Sequence, residues 1–386
     1  MKLLRIQYLK IPFLVINLYF CVVQNVKADQ IKTLIFLDNS VSNDTYIPSN
    51  KENQIEVAFE IAKSDLFKQF PKCKLNFEKR IDRGDQLNIF KQAEKIKSEL
   101  KPESSIIIGL IHSSEAILAA KAFADSKFQV LSSGATTENL NDLNSNFYTL
   151  ANPVSSFNDQ IMNFVKFKKP KVIFSLIPGN SSYAKEFSKD LGSRLIASGI
   201  KFEESEYNPS SIEADLNRLK SNIKNADMIF APGFIQQSLA AVSYLDKFAP
   251  EKTIVGTPNW GRSIPDLLNF YKKLNISKSK LYFPISWISG ESKNSKSFET
   301  KFKKKLNEVP MGTAVYTYDA AIIAGSFACN SPQISSERFL DYLKDFNYNK
   351  FTSRKYQRFL HGHMTSPIYM VEFKGTDKIL PIKNLN

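Results

Sequence analysis

The 386-residue chain is poor in the residues that build metal and catalytic centres, with 3 cysteines, 3 histidines and 2 tryptophans. His361-Gly362-His363 has no cysteine or carboxylate at ligand spacing, so the trio reads as a turn built on Gly362 rather than a zinc site. No nucleophile stands beside a base in any recognisable pattern, so neither catalysis nor a cofactor is expected. A nucleic-acid partner is excluded for want of a motif, and Lys303-Lys304-Lys305 is the one dense basic cluster. No short-period repeat or low-complexity linker interrupts the chain. Long apolar runs are missing too: Ile11 to Val23 contains Asn17 and falls short of the roughly 20 residues that span a bilayer.

That run has a different meaning. Lys2, Arg5 and Lys10 precede it, and Val26-Lys27-Ala28 offers a small-residue cleavage site before Asp29, the layout of a secretory signal over 1–28. A lipoprotein signal at Leu18-Tyr19-Phe20-Cys21 is disfavoured by the bulky Phe20. Export leaves Cys73 and Cys329, for which a disulfide is possible but not established by the sequence. Removing Lys2, Arg5, Lys10 and Lys27 from the formal +14 leaves +10. This charge is spread along the chain, reflecting either general lysine-rich composition or an anionic partner. Hydrophobic content of 43% against 23% charged residues describes a globular protein, and the length predicts two domains.

The organising stretch runs from Ile106 to Thr137. Ile106-Ile107-Ile108 reads as a strand ending at Gly109, and His112-Ser113-Ser114-Glu115 opens a helical segment to Ala124. A second strand, Gln129-Val130-Leu131, ends in Ser132-Ser133-Gly134-Ala135-Thr136-Thr137. Two successive strand tips therefore carry hydroxyls and helix-start N–H groups at the carboxyl edge of one parallel sheet, an edge suited to a polar or anionic small ligand. Upstream, a strand over 32–37, a helix over 53–70 stopped by Pro71, a strand over 74–79 and a helix over 86–100 complete a β-α-β-α-β-α-β order, which demands right-handed crossovers. The plan repeats with strands near 171–176, 199–202, 228–231, 253–256 and 280–285. The segment 286–296 then passes back between lobes, helices over 298–306 and 318–329 rejoin the first lobe, and a further helix spans 335–346. Residues 356–359 and 367–373 read as a closing hairpin around Gly362.

At this point the chain resembles the leucine/isoleucine/valine-type periplasmic solute-binding proteins. The resemblance rests on Gly109 to Ala116, Ser132 to Thr137, Val315-Tyr316-Thr317-Tyr318-Asp319-Ala320-Ala321, and Ser366 to Glu372, in that order, with the βα plan between them. It implies an α/β protein of two doubly wound parallel-sheet lobes joined by three crossings: 29–151 with 288–355, and 152–287 with 356–386. It also implies a small-molecule ligand, a membrane ABC permease as partner, a periplasmic location and a monomer. By position, Ser113, Thr137 and the backbone of Ala135 would hold a ligand carboxylate, with Ser114 and Thr136 beside them; Tyr183, Phe234 and Trp260 would contribute from the second lobe. Ser113 and Thr136 could instead be simple helix caps, and Trp260 a core residue. Thr257-Pro258-Asn259-Trp260-Gly261-Arg262 lacks the acid that pairs with a ligand ammonium in the family's amino-acid binders. An unpaired buried ammonium is costly, which argues against a simple α-amino acid and leaves Arg262 as an anion partner or a solvated residue. The rival function is an envelope regulator similar to penicillin-binding-protein activators, which share this fold.

Overall fold

A computed structural model of the chain describes residues 31–38, 51–81, 86–376 and 379–382; the signal read over 1–28 lies outside them. In the first half, β1 (Lys32–Asp38), α1 (Lys51–Gln69), β2 (Leu75–Ile81), α2 (Gln86–Glu99), β3 (Ser105–Gly109), α3 (Ser113–Ala122), β4 (Gln129–Ser132), α4 (Leu140–Leu143) and β5 (Phe147–Thr149) alternate as the sequence demands. The chain then crosses to α5 (Val154–Lys168), β6 (Val172–Pro178), α6 (Ser182–Ala197), β7 (Lys201–Tyr207), α7 (Ile212–Arg218), α8 (Lys220–Asn225), β8 (Met228–Phe230), α9 (Ile235–Phe248), β9 (Thr253–Val255), α10 (Ile264–Lys273) and β10 (Lys280–Ile285). It returns through α11 (Lys293–Leu306), α12 (Gly312–Asn330) and α13 (Ser336–Asp345), and ends in β11 (Arg358–Leu360), β12 (His363–Thr365), β13 (Tyr369–Phe373) and β14 (Leu380–Pro381).

Two seven-stranded sheets result, ordered β11-β12-β5-β4-β3-β1-β2 and β14-β13-β10-β9-β8-β6-β7. Both are parallel except at the edge formed by the last strands. In each the strand order reverses beside the first strand, between β1 and β3 and between β6 and β8. Open α/β sheets of this kind hold ligands outside the carboxyl ends of the strands at that switch. β3 is buried along its whole length, which is why three isoleucines can follow one another there. Among the described residues, no helix is long and apolar enough to cross a membrane.

α12 begins at Gly312, ahead of the expected Tyr318, and is buried from Gly312 through Ala328. It is wedged between the first sheet and α1, where a Cβ at Gly325 would lie 2.4 Å from a Leu66 methyl. Residues 212–225 form two helices broken at Leu219, α7 and α8. Cys73 and Cys329 are joined, tying the turn after α1 to the last turn of α12.

The closing segment needs correction. β11 and β12 form an antiparallel pair around Gly362, and β12 adds to β5, so both belong to the first sheet. β13 lies in the second sheet against β10. The assignment of 356–386 to the second lobe therefore fails for its first residues, and the third crossing falls after Thr365. The reason is that a tight turn on Gly362 (φ +83°) pairs its immediate flanks before the chain leaves the lobe.

The three crossings are linked around one buried side chain, which bonds two of them directly and the third through Ser366. Arg354, 3% exposed, donates through Nη2 to the Leu150 carbonyl at 3.1 Å and to Ser366 Oγ at 2.7 Å, and Ser366 Oγ donates onward to the Ser286 carbonyl at 3.4 Å. Asn152 and Ser366 exchange two further bonds. The guanidinium lies 3.9 Å from the Tyr316 ring centroid, which compensates part of its lost hydration.

Candidate functional site

The first-lobe wall of the interlobe cleft is made by the tips of β3 and β4. Gly109 (φ +112°) and Leu110 (φ +55°) turn the chain sharply out of β3, and a Cβ at Gly109 would sit 2.2 Å from the Leu37 carbonyl oxygen, so only glycine fits. His112 takes the cap position of α3 without a side-chain cap bond. Ser113 Oγ accepts the N–H groups of Thr136 and Thr137 at 3.3 and 3.2 Å. Ser113 thus fastens one strand tip to the other, and its own proton is left to donate.

The second-lobe wall starts where Ser181 caps α6 by accepting from the Ala184 N–H. Tyr183 and Glu186, three residues apart, share one side of that helix. The Tyr183 ring stacks on Phe234 with centroids 5.4 Å apart, and burial pushes its phenol up to about 12. Asn259 accepts the Ile235 N–H at 3.2 Å, fixing the loop that carries Arg262 against α9.

Between the walls lies a cavity of about 460 Å³ that holds Ser113, Ser114, Thr136, Thr137, Tyr183 and Phe234 among its lining residues. Six of the eight residues picked from the sequence are therefore brought together. His112, Asn180, Glu186, Asn259 and Arg262 line it as well. Among the bonds that span the lobes, Thr137 Oγ1 donates to Glu186 Oε1 at 3.1 Å, Arg262 Nη2 donates to the Gly134 carbonyl at 3.1 Å, and the Arg262 carbonyl accepts the Gly312 N–H at 2.7 Å. His112 meets Phe234 edge-on across the gap, with centroids 6.5 Å apart. A narrower space of about 30 Å³, lined by Arg262, Ser286, Trp287 and Tyr316, continues towards the crossings.

Two expectations are corrected. Ala135 is fully buried; its N–H is taken by Ser132 Oγ at 3.1 Å and its carbonyl by Thr149 Oγ1 at 2.8 Å. Its backbone is consumed in bracing the loop and is not offered to a ligand. Trp260 is also fully buried, packed against Phe283 and over Gly256, where a Cβ would fall 2.3 Å from the indole. It is a core residue of the second lobe, because the short helical turn Pro258–Gly261 points it inward. Arg262 is in the cleft rather than on a solvated face.

Glu186 was missed altogether. The acid was sought after β9, and the one signal for it was its place one turn beyond Tyr183 on a capped helix. Burial is the main influence on its carboxyl and holds it above the usual carboxylate range. Among the described residues, no group of three or more His, Cys, Asp or Glu side chains could hold a metal ion.

Several solved structures share this architecture. The branched-chain amino acid transporter substrate-binding protein LivJ of Streptococcus pneumoniae, in complex with isoleucine, superposes with a TM-score of 0.72 at 16% identity, covering 91% of this chain and 98% of that one. The leucine-binding protein LivK of Thermotoga maritima gives 0.74 at 13%, covering 92% and 98%. A solute-binding protein of an R. palustris ABC transporter, in complex with 4-hydroxybenzoate, gives 0.72 at 14%, covering 92% and 96%. At these identities the likeness establishes the type I periplasmic binding fold. No curated protein matches the chain. Residues 54–372, which include strands of both sheets and every lining residue of the cleft, match the receptor family ligand binding region, and the chain belongs to that family.

Proposed function

We propose that this chain is an exported solute-binding protein that captures a small polar or anionic molecule between its lobes and delivers it to a membrane ABC permease. The observation that carries the reading is the cavity of about 460 Å³ walled from both lobes, with hydroxyls on one side and an aromatic pair, an arginine and a carboxylate on the other. A ligand that touches both walls does so only when they are close, so binding shifts the population towards the closed form. Family membership and the solutes bound by similar structures support the same reading. The disulfide agrees with an oxidising compartment such as the periplasm.

The test is a thermal-shift screen of the chain from Asp29 onward against amino acids, amides, amines and carboxylates. A stabilising ligand raises the midpoint in proportion to the logarithm of its concentration. If no class raises it, the reading fails.

A further inference from the structure

Glu186 is the one carboxylate among the residues lining the cleft. It enters from α6, a different element from the 257–262 loop where an ammonium partner was sought and where no acid stands. It accepts a hydrogen bond from Thr137 Oγ1 across the gap at 3.1 Å and a second from the Glu138 backbone N–H, also on the first lobe. Among the described residues no Lys or Arg is ion-paired with it, and the charged groups acting on it, Glu138 and Asp190, have its own sign. Burial and the like charges nearby outweigh these two neutral donors and disfavour the ionised carboxylate, and an incoming cation relieves that cost. Arg262, on the same second-lobe wall, and the first-lobe Ser113 and Ser114 hydroxyls supply donors in the same cavity, so the cleft offers both a cationic and an anionic group.

We infer that Glu186 selects the solute by taking a protonated nitrogen, while Arg262 and the first-lobe hydroxyls face the ligand's anionic or polar end. The inference rests on the cleft being the solute site. It makes the ligand a zwitterion or an amine-bearing polar molecule and excludes a plain carboxylate. Thr137 then serves both states, holding the carboxylate when the cleft has no ligand and sharing it when the nitrogen arrives.

The experiment pairs each common amino acid with its deaminated carboxylate, for example L-leucine with 4-methylpentanoate and L-phenylalanine with 3-phenylpropanoate. Calorimetry is run on wild type, Glu186→Gln and Thr137→Val. Glu186→Gln keeps an acceptor for Thr137 and removes the charge. It is expected to weaken amine-bearing ligands on the order of 10- to 100-fold while leaving any weak carboxylate binding within about twofold. Wild-type binding to carboxylates but to no amine overturns the inference and leaves the solute-binding reading intact. Equal losses for both ligand types in Glu186→Gln and Thr137→Val also overturn it, since the bond would then be only a latch between lobes. Failure of wild type to bind any member of the panel defeats the solute-site reading itself. Should Glu186→Gln not fold, the wild-type preference between the members of each pair decides.

Discussion

Replacing both Cys73 and Cys329 by serine is expected to destabilise the protein without touching its cleft. The bridge closes a loop of sequence separation 256. The loop-entropy relation then assigns it about 5.5 kcal/mol, acting chiefly by restricting the unfolded chain. At about 2.1 cal/mol/K of unfolding entropy per residue, that lowers the melting midpoint by about 7 °C if the chain melts as a unit, and by roughly twice as much if the first lobe melts alone. Cys329 lies near the end of α12 opposite Gly312, and Gly312 lines the inner end of the cleft. At 1.5 Å per residue the bridge is therefore about 25 Å from that end, and ligand affinity should stay within about twofold of wild type. Scanning calorimetry of the wild type, the reduced wild type and the double serine variant, with ligand titration of each, reads both quantities. A variant that melts within about 1 °C of wild type refutes the reasoning. So do alkylatable Cys73 and Cys329 thiols in wild type denatured without reductant.

Three further outcomes are expected. Ser113→Ala strips the acceptor from the Thr136 and Thr137 N–H groups, which should cost about 2 kcal/mol in urea unfolding and weaken ligand binding about tenfold or more. Unchanged affinity would assign Ser113 a purely structural part. Trp260→Phe opens space in the second-lobe core but removes an indole N–H that is buried without an acceptor. It should cost about 1 kcal/mol with affinity unaltered, whereas a large affinity loss would return Trp260 to the site. His363, buried and joined through Nδ1 to the Ala151 carbonyl at 2.9 Å, is held by burial below the ordinary histidine value. The unfolded chain takes up that proton near pH 6.5 and the folded chain at lower pH, so this stability is present above about 6.5 and is lost as pH falls, at up to about 1.4 kcal/mol per pH unit. His363→Asn should flatten that part of the urea-midpoint profile between about pH 5 and 8, and an unchanged slope would refute the assignment.

Much of the fold was legible because its signals are local. The isoleucine run of β3, the helical spacing of Ile55, Ala58, Phe59, Ala62 and Leu66, and Pro71 after α1 each declare an element within a few residues. The hydroxyl-rich tips at Ser113 and Thr136-Thr137 were legible for the same reason. What escaped was whatever depends on the third dimension. A small residue at a strand tip can offer its backbone to a ligand or to its own loop, and only the partners at Ser132 and Thr149 show which Ala135 does. Trp260 follows a glycine-bearing loop whose direction is set by packing over Gly256 and not by any local signal. Glu186 looks like any exposed helical acid until the other lobe is placed opposite. The turn at Gly362 was recognised, but the partner strand was taken to be the longer apolar run, when proximity favoured the shorter one.

Arg354 has a consequence for motion. With two of the linkers bonded to one guanidinium and the third joined to it through Ser366 Oγ, the lobes have a common pin and not three independent tethers. Their relative movement is confined to swinging and twisting about that pin, and a sideways slide would have to tear a charged donor from its acceptors in the protein interior. The stroke that brings Thr137 to Glu186 is therefore a narrow arc, and the same arc must bring Arg262 to Gly134.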